Sequence, residues 1–256
     1  PAGSRQGEHG DPDMGPAAET VAREASVSRE RLDALALRSH RRALAAAAAG
    51  AFDGELVPVR AGGTWVRADK GPRPRLDERL LARFPPAFVE NGTVTAGNSC
   101  SDADGAAAVL VVAPGTEGLL GRQQGRAALE FRGSATVGVD PRRLGLGAAA
   151  AAEQLLAEHR LAATDMAAVE FNEAFAGQVL ACTDRLGFDE ETLNRVLNAD
   201  GGALALGHAY GASGAVSVVR LLARAQSLAE GSQCLALISS AGGIGTAALF
   251  ETRRLA

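Results

Sequence analysis

Two runs in the chain are apolar at nearly every position: GAAAVLVVA at residues 105–113 and QCLALISS at 233–240. A strand with one wet face alternates apolar and polar residues, so an unbroken apolar run reads as a strand covered on both sides. ALEFRGSATVGVD (128–140), AAVEF (167–171) and TAALFE (246–251) are predicted as further strands. Helical spacing runs over about 147–160, from about Glu173, and over about 211–229. Strands alternating with helices predict an α/β architecture whose sheet faces are covered by helices. With 256 residues, 46% of them hydrophobic, the chain can bury one large core or two modest ones.

The segment from about 16 to 98 has a different rhythm and is predicted to cap that core. It opens with a short helix over 16–26. Ser28 is placed to cap a long Ala-rich helix running to about Ala49, with Glu30 and Asp33 in its first turn. GELVPVRA and TWVRADK read as two strands joined by Gly62 and Gly63. RLDERLLARF is an amphipathic helix that Pro85 and Pro86 stop. Residues 1–15 are polar and rich in Gly and Pro, and the chain opens on Pro1 rather than a methionine.

Charge and composition narrow the function classes. A net charge of -4 gives no general basic field for nucleic acid or a lipid surface, and 4% aromatics argues against a base-stacking platform. No apolar run reaches membrane-spanning length. Cys100, Cys182 and Cys234 form no CxxC pair, which argues against zinc and structural disulfides and favours a reducing compartment, here expected to be the cytoplasm. Asp102 and Asp104 read as turn residues rather than metal ligands, and no metal or organic cofactor is expected.

Four stretches carry candidate chemistry. NEAFAGQVLAC begins at Asn172, where a strand gives way to a helix. An amide there can hold a water or an oxyanion, or simply cap the helix. NADGGALALGHAYGASG (198–214) has five glycines that let backbone approach a ligand closely, with His208 as a candidate base or oxyanion donor. The alternative is a loop histidine bonded to backbone. SSAGGIG (239–245) follows a buried strand, which puts Ser239 at the carboxyl end where open α/β sheets place their sites; the alternative is a glycine hairpin. TVTAGNSCSDADG (93–105) lines a groove or forms an ordinary loop.

Taken in order, NEAFA (172–176), the 198–214 stretch and SSAGGIG (239–245) resemble the thiolase family. MGPAAETVA (14–22), the segment 36–59, the segment 90–109 and ATVGVDP (135–141) extend the resemblance over about residues 11–252. It implies a thiolase-like α/β fold made of two similar βαβαβαββ halves and a loop domain. Residues 1–104 correspond to a loop (cap) domain, 105–139 to the terminal strands of an incomplete N-terminal half, and 140–256 to a complete C-terminal half.

The resemblance also implies an activity: reversible Claisen condensation and thiolysis, exchanging acyl groups between acetyl-CoA and 3-ketoacyl-CoA. The alternative is a catalytically silent subunit that binds acyl-CoA or a partner chain. His208 would activate a nucleophilic cysteine and share an oxyanion hole with a water held by Asn172. Ser239 stands where the family has its second cysteine, with Ala241 and Gly242 supplying backbone beside it. Met14, Ala96, Cys100 and Phe175 would line the coenzyme A groove, with coenzyme A thioester as substrate. The family's nucleophilic cysteine precedes the segment matching Met14, so none of the three cysteines here corresponds to it. The first half is therefore expected from a longer chain or a partner polypeptide, and homo-oligomers are a family expectation. Ala209 replaces the proline of the family's Gly-His-Pro, and Asp13 replaces a histidine.

Overall fold

The computed structural model describes residues 12–116 and 125–255. The first part is helical. Helix α1 (Met14–Glu24) leads to α2 (Arg29–Ala48), where Ser28 Oγ accepts from Arg31 N at 3.3 Å as a cap should. Strands β1 (Val59–Ala61) and β2 (Thr64–Val66) form the expected hairpin, with Gly62 and Gly63 both at positive φ in its turn. The short helix α3 (Glu78–Ala82) starts at Asp77, whose carboxylate accepts from Leu80 N.

The second part is a four-stranded sheet sandwiched by helices. Its strands are β3 (Ala127–Gly138), β4 (Ala168–Phe171), β5 (Gln233–Ser240) and β6 (Ile244–Arg254), in the order β3-β6-β5-β4. β4 and β5 are parallel, and β6 is antiparallel to both of its neighbours. Helices α4 (Gly147–His159) and α5 (Ala176–Arg185) cover one face, and α8 (Ser213–Ala225) covers the other. Alternation along β5 assigns the faces. Leu235 and Leu237 join the larger core with Leu155, Val169, Phe171 and Val179, while Cys234 and Ala236 pack beneath Leu221 of α8. Between α5 and α8 lie α6 (Glu190–Val196) and the four-residue α7 (Ala203–Leu206). Leu197 makes one parallel bridge to Val169 where a further strand would run. The element order is thus a βαβαβαββ pattern with its third strand reduced to one residue. Among the described residues no helix is long and apolar enough to cross a membrane.

Three expectations are corrected. Residues 105–113 form no strand. Leu110 and Val111 are 76% and 85% exposed, because no described segment pairs with this run or covers it. β3, expected to close a preceding half, pairs with β6 from Ala127 to Gly138 and so belongs to the same sheet as β4, β5 and β6. Finally, α5 begins at Ala176 with Phe175 as its cap residue, so Asn172 caps no helix. Helix α6 had not been anticipated, although Asp189 caps it with Glu190 and Glu191 in the first turn.

Glycine permits the closest approach in the fold. A Cβ on Gly245 would lie 1.8 Å from the Gly147 carbonyl carbon, so β6 and the start of α4 touch backbone to backbone.

Candidate active site

Asn172 and His208, separated by 36 residues, meet where β4 ends. Asn172 N–H donates to Leu237 O at 3.0 Å, carrying the β4–β5 ladder one residue past the strand. The side chain is therefore fixed at the carboxyl end of the parallel pair. Its Nδ2 lies 3.4 Å from His208 Nε2, and both residues are buried.

His208 is held from three sides. Its N–H donates to Ser101 O at 2.8 Å, and its carbonyl accepts from Ala103 N at 3.2 Å. Its Nδ1 lies 2.6 Å from Ser213 Oγ at the start of α8. The Ser213 hydroxyl has one proton and two acceptors in reach, Nδ1 and Ala209 O at 3.0 Å; with the proton on Ala209 O, it accepts from the ring. In that tautomer the imidazole proton is on Nδ1 and the Nε2 lone pair faces the Asn172 amide. Burial lowers the His208 pKa below its ordinary value, against an upward pull from Asp102. The ring is thus a neutral base near pH 7, with its free nitrogen beside an amide donor.

A buried carboxylate organises the surrounding loops. Glu173 is fully buried and accepts from Ser39 Oγ (2.7 Å), Asn198 Nδ2 (2.7 Å) and Leu204 N (3.2 Å). Asn198, at φ +42°, also pairs with the Phe171 backbone: its Oδ1 accepts from Phe171 N at 2.8 Å and its Nδ2 donates to Phe171 O at 2.9 Å. Through Glu173, helix α2, the end of β4 and the Gly-rich loop become one unit. Ser39, Asn198 and Ser213 were not singled out from the sequence; for Glu173, a charge inside an apolar stretch was the available signal.

The proposed groove residues fall near one another. Cys100 N–H donates to Ala174 O at 2.9 Å, and Ser99 bridges Phe175. Phe175 packs edge-to-face on Phe88, with ring centroids 6.0 Å apart. The Phe88 ring lies against Gly15, the neighbour of Met14, so closely that a Cβ there would be 2.2 Å from it. Ala96 is exposed on the same 93–100 loop.

The Ser239 hydroxyl is bonded to backbone rather than to His208. It donates to Gly145 O at 2.9 Å and accepts from Ala148 N at 3.0 Å, on the α4 face of the sheet. These bonds tie β5 to the turn before α4 and to its first residues, and they direct the Ser239 proton to Gly145 O. Ala241 and Gly242 are exposed in the turn between β5 and β6, with Gly242 at φ +77°. Burial pushes all three thiols up: Cys100 to about 11, Cys182 to about 12 and Cys234 to about 11. None is a ready thiolate at neutral pH. Among the described residues no group of three or more His, Cys, Asp or Glu could hold a metal ion.

Comparison with known proteins gives this geometry a family. Residues 6–114 match the thiolase N-terminal domain, and residues 126–252 match the thiolase C-terminal domain. The chain belongs to the thiolase family. It is 42% identical over 248 residues to a Staphylococcus epidermidis protein provisionally named acetyl-CoA C-acetyltransferase VraB, covering 97% of this chain and 61% of that one. Peroxisomal 3-ketoacyl-CoA thiolase 2 of Arabidopsis thaliana is 38% identical over 252 residues, covering 93% and 52%. The Bacillus anthracis acetyl-CoA acetyltransferase structure superposes with a TM-score of 0.85 at 32% identity, covering 98% of this chain and 66% of that one. The chain spans 52–61% of the length of these two curated relatives.

Proposed function

We propose that this thiolase chain forms the base-and-oxyanion side of an acyl-CoA acyltransferase site, running reversible thiolysis of 3-ketoacyl-CoA and condensation of acetyl-CoA. The observation that carries the reading is His208 Nε2 3.4 Å from Asn172 Nδ2, with Nδ1 engaged by Ser213 Oγ at 2.6 Å. In this reading Nε2 takes the proton of a nucleophilic thiol. The thiolate attacks the 3-keto carbon, and the Nε2–H so formed and the amide side face the developing oxyanion. The C2–C3 bond breaks, and the enolate of acetyl-CoA takes a proton. The acyl group stays on sulfur until the thiol of free coenzyme A accepts it. The raised pKa values of Cys100, Cys182 and Cys234 favour a nucleophile from outside these 256 residues, supplied by a longer chain or by a partner.

Coenzyme A would lie along Met14, Ala96, Cys100 and Phe175. The dimeric peroxisomal thiolase of Saccharomyces cerevisiae, which matches with a TM-score of 0.85 at 34% identity, supports a homo-oligomer. Three free thiols fit a reducing compartment such as the cytoplasm. The engaged hydroxyl of Ser239 favours a second reading, a silent subunit that binds acyl-CoA without turnover. Incubating the full-length protein with acetoacetyl-CoA and coenzyme A separates the two. Formation of acetyl-CoA supports the transferase; saturable acetoacetyl-CoA binding without product supports the silent subunit.

A further inference from the structure

Tyr210 is the chain's single tyrosine, and it stands beside the His208 ring. The two ring centroids are 4.4 Å apart, tilted by 43°. Tyr210 is 64% exposed, so burial of its ring does not explain this placement. Its hydroxyl does: it donates to Asp102 Oδ1 at 3.1 Å. Asp102 pairs with His208 through backbone as well, since His208 N–H donates to Ser101 O and Ala103 N–H to His208 O. An exposed aspartate on a loop ordinarily turns its charge into water. Here a phenol whose ring stands 4.4 Å from the imidazole bonds it.

We propose that Tyr210 is a positioning residue: its hydroxyl holds the Asp102 carboxylate against the His208 loop, and the pair sets the protonation of His208. Asp102 favours the imidazolium, opposing the burial that disfavours it. The other titratable groups around the ring are few. Cys100 lies on the Asp102 segment and is a neutral thiol. Glu173 adjoins Asn172, with its carboxylate bonded to Ser39, Asn198 and Leu204 N–H. From α8 the contact is the uncharged Ser213 hydroxyl. Asp102 is therefore the carboxylate whose charge acts on the ring, and the Tyr210 hydroxyl is the group bonded to it. The inference deepens the role proposed for His208, but its test needs no turnover.

The test is the imidazole titration of the full-length protein with labelled histidine, followed by NMR. The His208 signal is assigned by its loss in His208→Ala. Asp102→Asn removes the charge and is expected to move the His208 midpoint to lower pH. Tyr210→Phe keeps the ring and frees the carboxylate, so it is expected to move the midpoint the same way. The double variant should shift no further than Asp102→Asn alone, because the two act through one contact. An unmoved midpoint in Asp102→Asn or Tyr210→Phe, an upward shift in Tyr210→Phe, or additive shifts in the double variant would each overturn the proposal. Thiolysis absent while the midpoints move as expected would sink the transferase reading and leave this one standing.

Discussion

Asn198→Ala removes three hydrogen bonds and a backbone conformation in one step. Phe171 N–H loses its 2.8 Å acceptor in a buried setting, which costs about 1–3 kcal/mol. Glu173 loses the 2.7 Å donor on Oε1, a bond to a charged group that contributes roughly 1.5–3 kcal/mol. Alanine at φ +42° adds about 1 kcal/mol over asparagine. Glu173 keeps Ser39 and Leu204 N–H on its other oxygen, which argues for the lower half of the sum. The expected loss is about 4 kcal/mol, a large share of the roughly 5–15 kcal/mol that holds a typical domain. Asn198→Asp supplies the control. It keeps an acceptor for Phe171 N–H and tolerates the backbone, but it sets a second carboxylate against Glu173, so one of the pair must take a proton. That proton is bound more tightly in the folded than in the unfolded chain. The variant should therefore gain stability relative to Asn198→Ala as pH falls from 8 to 5. Urea denaturation of the full-length protein followed by far-UV circular dichroism reads both. A loss below 1 kcal/mol for Asn198→Ala, or an Asn198→Asp deficit that ignores pH, would refute this account of the loop.

Further predictions follow the same lines. Ser213→Ala leaves His208 Nδ1 without its acceptor, so thiolysis by the full-length protein should fall roughly tenfold to a hundredfold with little change in denaturation midpoint. Arg220, buried on α8, pairs with Glu55 and Asp200; Arg220→Leu strands both carboxylates and should cost about 3–5 kcal/mol in denaturant titrations. Burial raises Glu170 from 4.5 to about 8, so the fold favours its protonated form; that contribution is full below about 4.5 and is lost as pH rises to 8. Glu170→Gln should therefore be more stable than wild type at pH 9, and the gap should narrow as pH falls below 8 and close only near 4.5, the carboxyl's ordinary value. Gly245→Ala would put a methyl group 1.8 Å from the Gly147 carbonyl carbon, and soluble expression is expected to be lost.

What could be read in the sequence was what local chemistry decides. Ser28, the Gly62–Gly63 turn and the run at 233–240 each announced an element that is there. Asn172 and His208 were visible because each sits in a Gly-rich or strand-end motif, and they meet as expected. The run at 105–113 misled because apolar composition reports a wish for cover, not its presence, and no described strand lies beside it. Ser239 was read from its place at a strand end, which is where it lies. Its hydroxyl bonds to Ala148 N and Gly145 O were not legible, because the sequence does not say which loop packs against a strand end. The Ser39–Glu173–Asn198 knot joins residues 134 and 25 positions apart, and no local pattern encodes such a meeting.

The central claim is that Nε2 of His208 is the working base. The most direct measurement compares acetoacetyl-CoA thiolysis by full-length wild type, His208→Ala and Ser239→Ala under saturating substrate. The account predicts that His208→Ala lowers kcat by about a hundredfold or more, while Ser239→Ala stays within a few-fold once its fold is verified. Turnover that survives His208→Ala, or that disappears only with Ser239→Ala, would contradict it.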